Sequence, residues 1–293
     1  MSGQTGHGCG YRTPNAILAR EMPHVCVNDI RIHYKERGQG FPVVLVHGYT
    51  GNLRNWVLQI PALTQTHRTV SLDLRGHGLT DRPSQPEDCS LERLAEDVYG
   101  LLQTLDIGEC YLCGHSMGGM VAQEFVLTHP EMVRALILVD TTAQQPASTD
   151  MAERARLVQI ALTQGMEAVF EEMLRASLLA GELAETNSAY IEKWREQFLL
   201  TSVEGYVYCA QAMHDRRPLL DELYRIQVPT LIVCGALDEP FLEPSCQMHE
   251  RIAGSELAII PGSGHVPTIE RPQEFNHIVA SFLARVEACP ATP

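Results

Sequence analysis

Residues 109–127 read ECYLC-GHSMGG-MVAQEFVL: an apolar run, a glycine-rich turn, then a second apolar run. Glu109–Cys113 predicts a buried strand. Val121–Leu127 predicts a helix that Pro130 closes. Gly114 and Gly118 lie two positions either side of Ser116. A turn this sharp strains its apex residue, and a Cβ at either flanking position would clash with nearby backbone. The strain lifts the Ser116 hydroxyl clear of the sheet. The helix that follows aims its first N–H groups at negative charge developing there. The stretch therefore predicts a nucleophilic serine on a strand–turn–helix elbow.

Working outward, similar apolar runs recur at Pro42–His47, Arg68–Leu72, Ala135–Val139, Thr230–Cys234 and Glu256–Ile260. Runs of this kind suit strands buried on both faces of a parallel sheet. Val25–Val27 and Arg31–Glu36 flank the turn signal Asn28-Asp29 and predict a hairpin. Leu91, Leu94, Val98, Leu101, Leu102 and Leu105 fall on one helical face. Pro272–Val286 opens with proline and keeps helical spacing. Strands alternating with helices predict an α/β core with helices on both faces.

The alternation stops at 144–220. Asp150–Leu162, Glu167–Leu179, Ser188–Leu200 and Val203–Met213 read as helices, with breaks near Gly165, Gly181 and Thr201-Ser202. The expected organisation is a loose tail over 1–22, a core over 23–143 and 221–293, and an all-helical insertion over 144–220.

The chain has 293 residues, 45% hydrophobic and 20% charged, enough to bury a sizeable core. Its net charge of −14, from 22 Lys+Arg against 36 Asp+Glu, argues against nucleic acid or an anionic membrane as main partner. No apolar stretch approaches the roughly 20 residues that span a bilayer. The start is polar and unlike a secretory signal. Nine cysteines, an odd number without small-domain spacing, predict a reducing cytoplasm rather than a disulfide framework. Cys110 and Cys113 form C-x-x-C, but in a strand these positions point to opposite faces, so neither metal nor redox chemistry is expected there.

A serine hydroxyl needs an oriented base. His265, in Pro261-Gly262-Ser263-Gly264-His265, follows the last predicted strand and so shares the sheet's carboxyl edge with Ser116. His277 lies on the final helix and reads as a surface residue. Two aspartates end neighbouring strands and are candidates for the acid that holds the imidazole. They are Asp238 in Gly235-Ala236-Leu237-Asp238, which the Gly-x-x-Asp loop favours, and Asp140. The oxyanion hole is expected from the backbone N–H groups of Met117 and Tyr49, with Gly48 allowing close approach. His47 is expected to pack beneath the site and bind the loop backbone.

Together, His47-Gly48-Tyr49, Asp73-Leu74-Arg75-Gly76-His77-Gly78, Gly114–Gly119, Gly235–Asp238 and Gly264-His265 resemble the α/β-hydrolase superfamily over about residues 23–287. The similarity is to the helical-capped branch of serine esterases, lactonases, cofactor-free haloperoxidases and C–C bond hydrolases. The resemblance implies an eight-stranded, mostly parallel sheet, a cap formed by the helical insertion, and acyl-enzyme chemistry with no cofactor. It also makes Arg75–Gly78 a structural landmark. Ser116 stands where dehalogenases and epoxide hydrolases of the superfamily carry Asp, which disfavours those reactions. His47–Gly51 with Asn55-Trp56 also resembles a pyruvate-eliminating synthase of the menaquinone pathway, but Met120 replaces the Arg that follows the elbow glycines in that branch.

The expected substrate is a small, mostly apolar carboxylic ester or lactone, since cap residues such as Met166, Phe170, Trp194, Phe198 and Tyr206 supply apolar surface. Arg216-Arg217 reads as a solvated charge pair rather than a carboxylate grip. The alternatives are C–C cleavage or pyruvate elimination on the same three residues, and, in another class, a ligand sensor that retains them.

Overall fold

The computed structural model describes residues 23–146, 150–175 and 188–288. The predicted tail and the expected cap positions Leu178, Leu179 and Gly181 lie outside the described residues.

Eight strands form one sheet: β1 (His24–Val27), β2 (Ile30–Arg37), β3 (Pro42–Val46), β4 (Arg68–Leu72), β5 (Cys110–His115), β6 (Val133–Val139), β7 (Thr230–Gly235) and β8 (Glu256–Ile260). Their spatial order is β1-β2-β4-β3-β5-β6-β7-β8. β1 with β2 and β2 with β4 are antiparallel; the other pairings are parallel. Central strands β3 and β5 are covered on both sides, which is why they read as unbroken apolar runs.

Alternate side chains point to opposite faces and so serve two cores. Val44, Val46, Leu112 and Leu138 pack with Leu94, Val98, Val121 and Phe125 from helices Leu91–Thr104 and Met117–Thr128. Val43, Leu45, Cys113 and Ile137 pack with Phe275, Val279, Phe282 and Leu283 from the final helix, Pro272–Ala288. Cys110 joins the first core and Cys113 the second. Burial pushes both thiols up, Cys110 to about 12, so neither is a thiolate poised for redox or metal chemistry.

Between β6 and β7 lie helices Met151–Gln164, Met166–Arg175, Ser188–Phe198 and Val203–Asp215. Asp150 and Ser202 cap the first and last by accepting N–H bonds, and Gly165 breaks the chain at φ 85°. Leu157, Val169, Phe170, Phe198 and Tyr206 form their own apolar cluster. The inserted helices dock on the core at Gly205 and Gly76, where a Cβ on Gly205 would stand 2.5 Å from Gly76 O. Ser202 fixes the same seam by donating its N–H to Gly76 O at 2.8 Å.

Helix Glu239–Arg251 is not expected from sequence, because Pro240 and Pro244 fall within it. Pro240 sits in the first turn, where no N–H donor is needed, and Pro244, Ser245 and Met248 are buried. Tertiary packing thus overrides the local proline signal. Among the described residues, no helix is long and apolar enough to cross a membrane.

Candidate active site

Ser116 has φ 52° and ψ −117°, a conformation that costs a non-glycine residue energy. The surrounding contacts hold it there. Its N–H donates to Val139 O at 2.8 Å, and its carbonyl accepts from Gly119 N–H and from Thr141 Oγ1 at 2.7 Å. A Cβ on Gly114 would lie 2.2 Å from Gly118 O, and one on Gly118 would lie 2.4 Å from Val46 O. Both glycines are therefore required by close backbone approach.

The structure brings Ser116, His265 and Asp238 into one hydrogen-bonded chain. Ser116 Oγ–H donates to His265 Nε2 across 2.9 Å, and His265 Nδ1–H donates to Asp238 Oδ2 across 2.7 Å. The serine and aspartate are buried, while the imidazole keeps 28% side-chain exposure, leaving an approach for substrate. Phe241 packs its ring 4.7 Å from that of His265.

The two aspartates separate. Asp140 ends β6 at φ 41°, and its Oδ1 accepts the Gly235 N–H at 2.8 Å. It makes no hydrogen bond to His265. Burial, with the Asp238 charge beside it, pushes the Asp140 carboxyl well above the usual carboxylate range. Donor atoms of Asp140, Cys234 and Asp238 lie within 4.8 Å of one another. Of these, Asp238 already accepts the His265 Nδ1–H through Oδ2.

The loop carrying Tyr49 lies directly against the elbow. A Cβ on Gly48 would meet His115 Nδ1 at 2.7 Å and Ser116 Cβ at 3.0 Å. Three buried histidines anchor this region. His47 Nδ1–H donates to Gly48 O, and its Nε2 accepts from Leu74 N–H at 2.9 Å. His77 Nδ1–H donates to Arg75 O while its Nε2 accepts from Thr50 N–H. His115 Nε2–H donates to His265 O at 2.7 Å. Burial lowers all three, His77 and His115 to about 3, so each stays neutral with one donor and one acceptor nitrogen. Tyr49 Oη–H donates to Tyr206 O at 2.6 Å, tying the loop to the inserted helices.

Glu270 is missing from the sequence reading. Its Oε2 accepts from Gly264 N–H at 2.7 Å and its Oε1 from Val266 N–H at 3.0 Å. The signal was a glutamate five residues after the histidine, inside the one-turn helix Pro267–Glu270.

The expectation for Arg216-Arg217 needs correction. Arg217 forms ion pairs with buried Glu124 and with Glu222. Arg216 is turned inward instead, donating from Nη1 to Gln145 Oε1 and Met213 O. Arg216 is the residue that ends helix Val203–Asp215, and its two acceptors, Gln145 Oε1 and Met213 O, hold its side chain off the solvated face.

The structure also holds a cavity of about 290 Å³ under the final helix, lined by Leu45, Trp56, Cys113, Ile137, Val279 and Leu283. It touches none of Ser116, His265 and Asp238.

Residues 42–272 match the sequence family defined by the alpha/beta hydrolase fold. The chain belongs to that family. It is 30% identical over 262 residues to 3-oxoadipate enol-lactonase 2 of Acinetobacter baylyi, covering 88% of this chain and 94% of the relative. It is 30% identical over 254 residues to a putative 2-succinyl-6-hydroxy-2,4-cyclohexadiene-1-carboxylate synthase of Bacillus subtilis, covering 83% and 90%. Its fold matches a thermophilic esterase from Thermogutta terrifontis with TM-score 0.82 at 28% identity, over 90% of this chain and 99% of the other.

Proposed function

We propose that the protein is a serine hydrolase of small, mostly apolar carboxylic esters or lactones. The observation that carries this reading is the Ser116–His265–Asp238 chain, with spacings of 2.9 and 2.7 Å. His265 takes the Ser116 proton as Oγ attacks the carbonyl. The backbone N–H groups of Tyr49 and Met117 stabilise the oxyanion. As the tetrahedral species collapses, His265 passes the proton to the departing alkoxide, leaving an ester on Ser116. His265 then deprotonates a water that attacks this acyl-enzyme, and returns the proton to Ser116 Oγ as the acyl–Oγ bond breaks and the acid leaves. Asp238 keeps the imidazole in the tautomer with Nε2 free and stabilises its cation. No step requires a cofactor. The helices between β6 and β7 act as the cap that shapes the substrate pocket. The relatives named as enol-lactonase and esterase support this class of reaction.

A second reading, pyruvate elimination or C–C cleavage on the same residues, draws support from the synthase relative. In either case the partner is a small molecule rather than nucleic acid or membrane, acting in the cytoplasm. The net charge of −14 supports the first part, and the free cysteines support the second.

Fluorophosphonate labelling with site mapping, beside p-nitrophenyl esters from acetyl to dodecanoyl, tests the proposal. Labelling at Ser116, turnover peaking at one acyl length, and loss of both in a folded Ser116→Ala variant are expected. Labelling without ester turnover would shift the assignment to the second reading, or to a ligand sensor that keeps the three residues. An unlabelled Ser116 would remove the nucleophile.

A further inference from the structure

The cavity under the final helix is lined by two residues that each leave a polar atom unpaired. Its floor is the sheet: Val43 and Leu45 of β3, Cys113 of β5 and Ile137 of β6. The final helix, Pro272–Ala288, forms one wall and the chain over 56–67 forms the other.

Polar groups at the rim of this cavity have partners. His67 Nε2–H donates to Glu287 Oε1 at 2.9 Å, and His67 Nδ1 accepts from Thr66 Oγ1–H at 2.7 Å. Asn276 Nδ2–H donates to Leu58 O at 2.9 Å. Trp56 and Gln59, each 1% exposed, differ from these. The Trp56 Nε1–H has no acceptor and Gln59 Oε1 has no donor. Gln59 Nε2–H donates to Thr268 O at 2.8 Å, which fixes the amide with its oxygen as the free end. The Gln59 backbone N–H donates to Trp56 O at 3.0 Å, so a single turn carries both side chains.

An indole N–H and an amide oxygen shut away from water each cost free energy while unpaired. One hydroxyl removes both costs, because it accepts from the indole and donates to the amide oxygen. A carboxylate accepts only, and would set its lone pairs against Gln59 Oε1. An ammonium donates only, and would oppose the indole N–H. Glu287, whose carboxylate is half exposed at the rim, adds negative charge that repels anions. The floor and the buried wall residues Val279 and Leu283 are apolar and suit a hydrocarbon frame. A dry apolar cavity of about 150 Å³ takes one benzene ring. At about 290 Å³, this one has room for a ring with a short side chain.

We propose that the cavity is a second small-molecule site, separate from Ser116, and that its ligand is a neutral, mostly apolar alcohol whose hydroxyl bridges Trp56 Nε1 and Gln59 Oε1. Such a site stands whether or not Ser116 cleaves esters.

Titration of the full chain with 2-cyclohexylethanol, beside ethylcyclohexane as the same frame without its hydroxyl, tests this. The chain has two tryptophans, so Trp194→Phe leaves Trp56 as the sole indole reporter. Its emission should change saturably with the alcohol, and calorimetry gives the affinity. Val279→Phe on the final helix and Ala62→Leu on helix Ile60–Leu63 both fill the cavity, and each should weaken binding about 10-fold or more. Their own Tm should hold or rise, as cavity filling stabilises a fold. Trp56→Phe keeps a ring and loses the N–H. Its ratio of alcohol to hydrocarbon affinity, read by calorimetry, should fall about 3- to 10-fold. Absence of any saturable response would mean that the cavity holds water alone, and would overturn the site. Binding that survives in both filled variants would place the alcohol elsewhere, the Ser116 site first, and would also overturn it. An unchanged affinity ratio in Trp56→Phe would reject the bridging hydroxyl.

Discussion

Glu270 brackets His265: its two carboxylate oxygens accept the backbone N–H groups of the residues immediately before and after the histidine, at 2.7 and 3.0 Å. The imidazole approaches Ser116 from a loop whose backbone is clamped on both sides by one buried side chain. Opposite it, His115 donates to the His265 carbonyl, so the loop is held at three successive residues.

Loss of that clamp should loosen the base without removing it. Glu270→Ala is expected to lower kcat by about 10- to 100-fold, because small misplacements of a catalytic group cost about that much. Glu270→Gln keeps one carbonyl acceptor and should fall between. Steady-state kinetics on the best ester of the panel decide this, and unchanged kcat in a folded Glu270→Ala variant would show that the loop holds itself.

Asp238 and Asp140 should respond very differently to amidation. Asp238→Asn removes the carboxylate that fixes the His265 tautomer, and kcat should drop about 10⁴-fold. Asp140 makes no hydrogen bond to His265 and accepts the Gly235 N–H instead, a role an amide oxygen can fill, so Asp140→Asn should stay within about 10-fold of wild type. Equal losses in the two variants would mean that the pair works as one acid.

The buried histidines set an acid limit on stability. His77 and His115 stay neutral in the fold down to about 3, whereas the unfolded chain protonates them near 6.5. Below the unfolded value the unfolded state binds more protons, so stability present above it is lost as pH falls toward the folded value. Each histidine should contribute a slope of about 1.4 kcal/mol per pH unit in that window. Urea unfolding at pH 7.5, 6.5 and 5.5 should give a flatter profile for His77→Gln than for wild type. Parallel profiles would place the acid sensitivity elsewhere.

Arg75 is buried and donates to both oxygens of Asp97 at 2.9 Å, with a third bond to Asp29. Arg75→Ala leaves Asp97 buried and uncompensated, and should destabilise by about 3–5 kcal/mol. The Arg75→Met, Asp97→Leu double variant should recover much of that loss. Chemical denaturation of the three proteins checks this, and a single variant within error of wild type would contradict the structural role of the Arg75–Gly78 loop.

Much of the fold was legible because its signals are local. The hairpin around Asn28-Asp29, the buried strands and the break at Gly165 each depend on a few consecutive residues, and all appear close to the expected places. Helix Glu239–Arg251 was not legible, because its two prolines argue against it locally and its stability comes from contacts with the sheet. Arg216 and Arg217 were inseparable in sequence for a similar reason. Adjacent residues of one type differ only in what the fold places opposite each of them.

By itself, the sequence determined the strand–elbow–helix at Ser116, the strand order along the chain that carries Asp238 and His265 to one edge, and the glycines at 114 and 118. Steric limits on neighbouring backbone atoms act within a few residues and leave their mark in residue type. Only the tertiary structure decided that His265 meets Asp238 and not Asp140, that Glu270 clamps the base, and that Arg217 meets buried Glu124 while its neighbour Arg216 turns to Gln145. Those relationships join residues brought together by sheet pairing and helix packing, where differences of an ångström decide whether a hydrogen bond forms and no short stretch of chain records the distance.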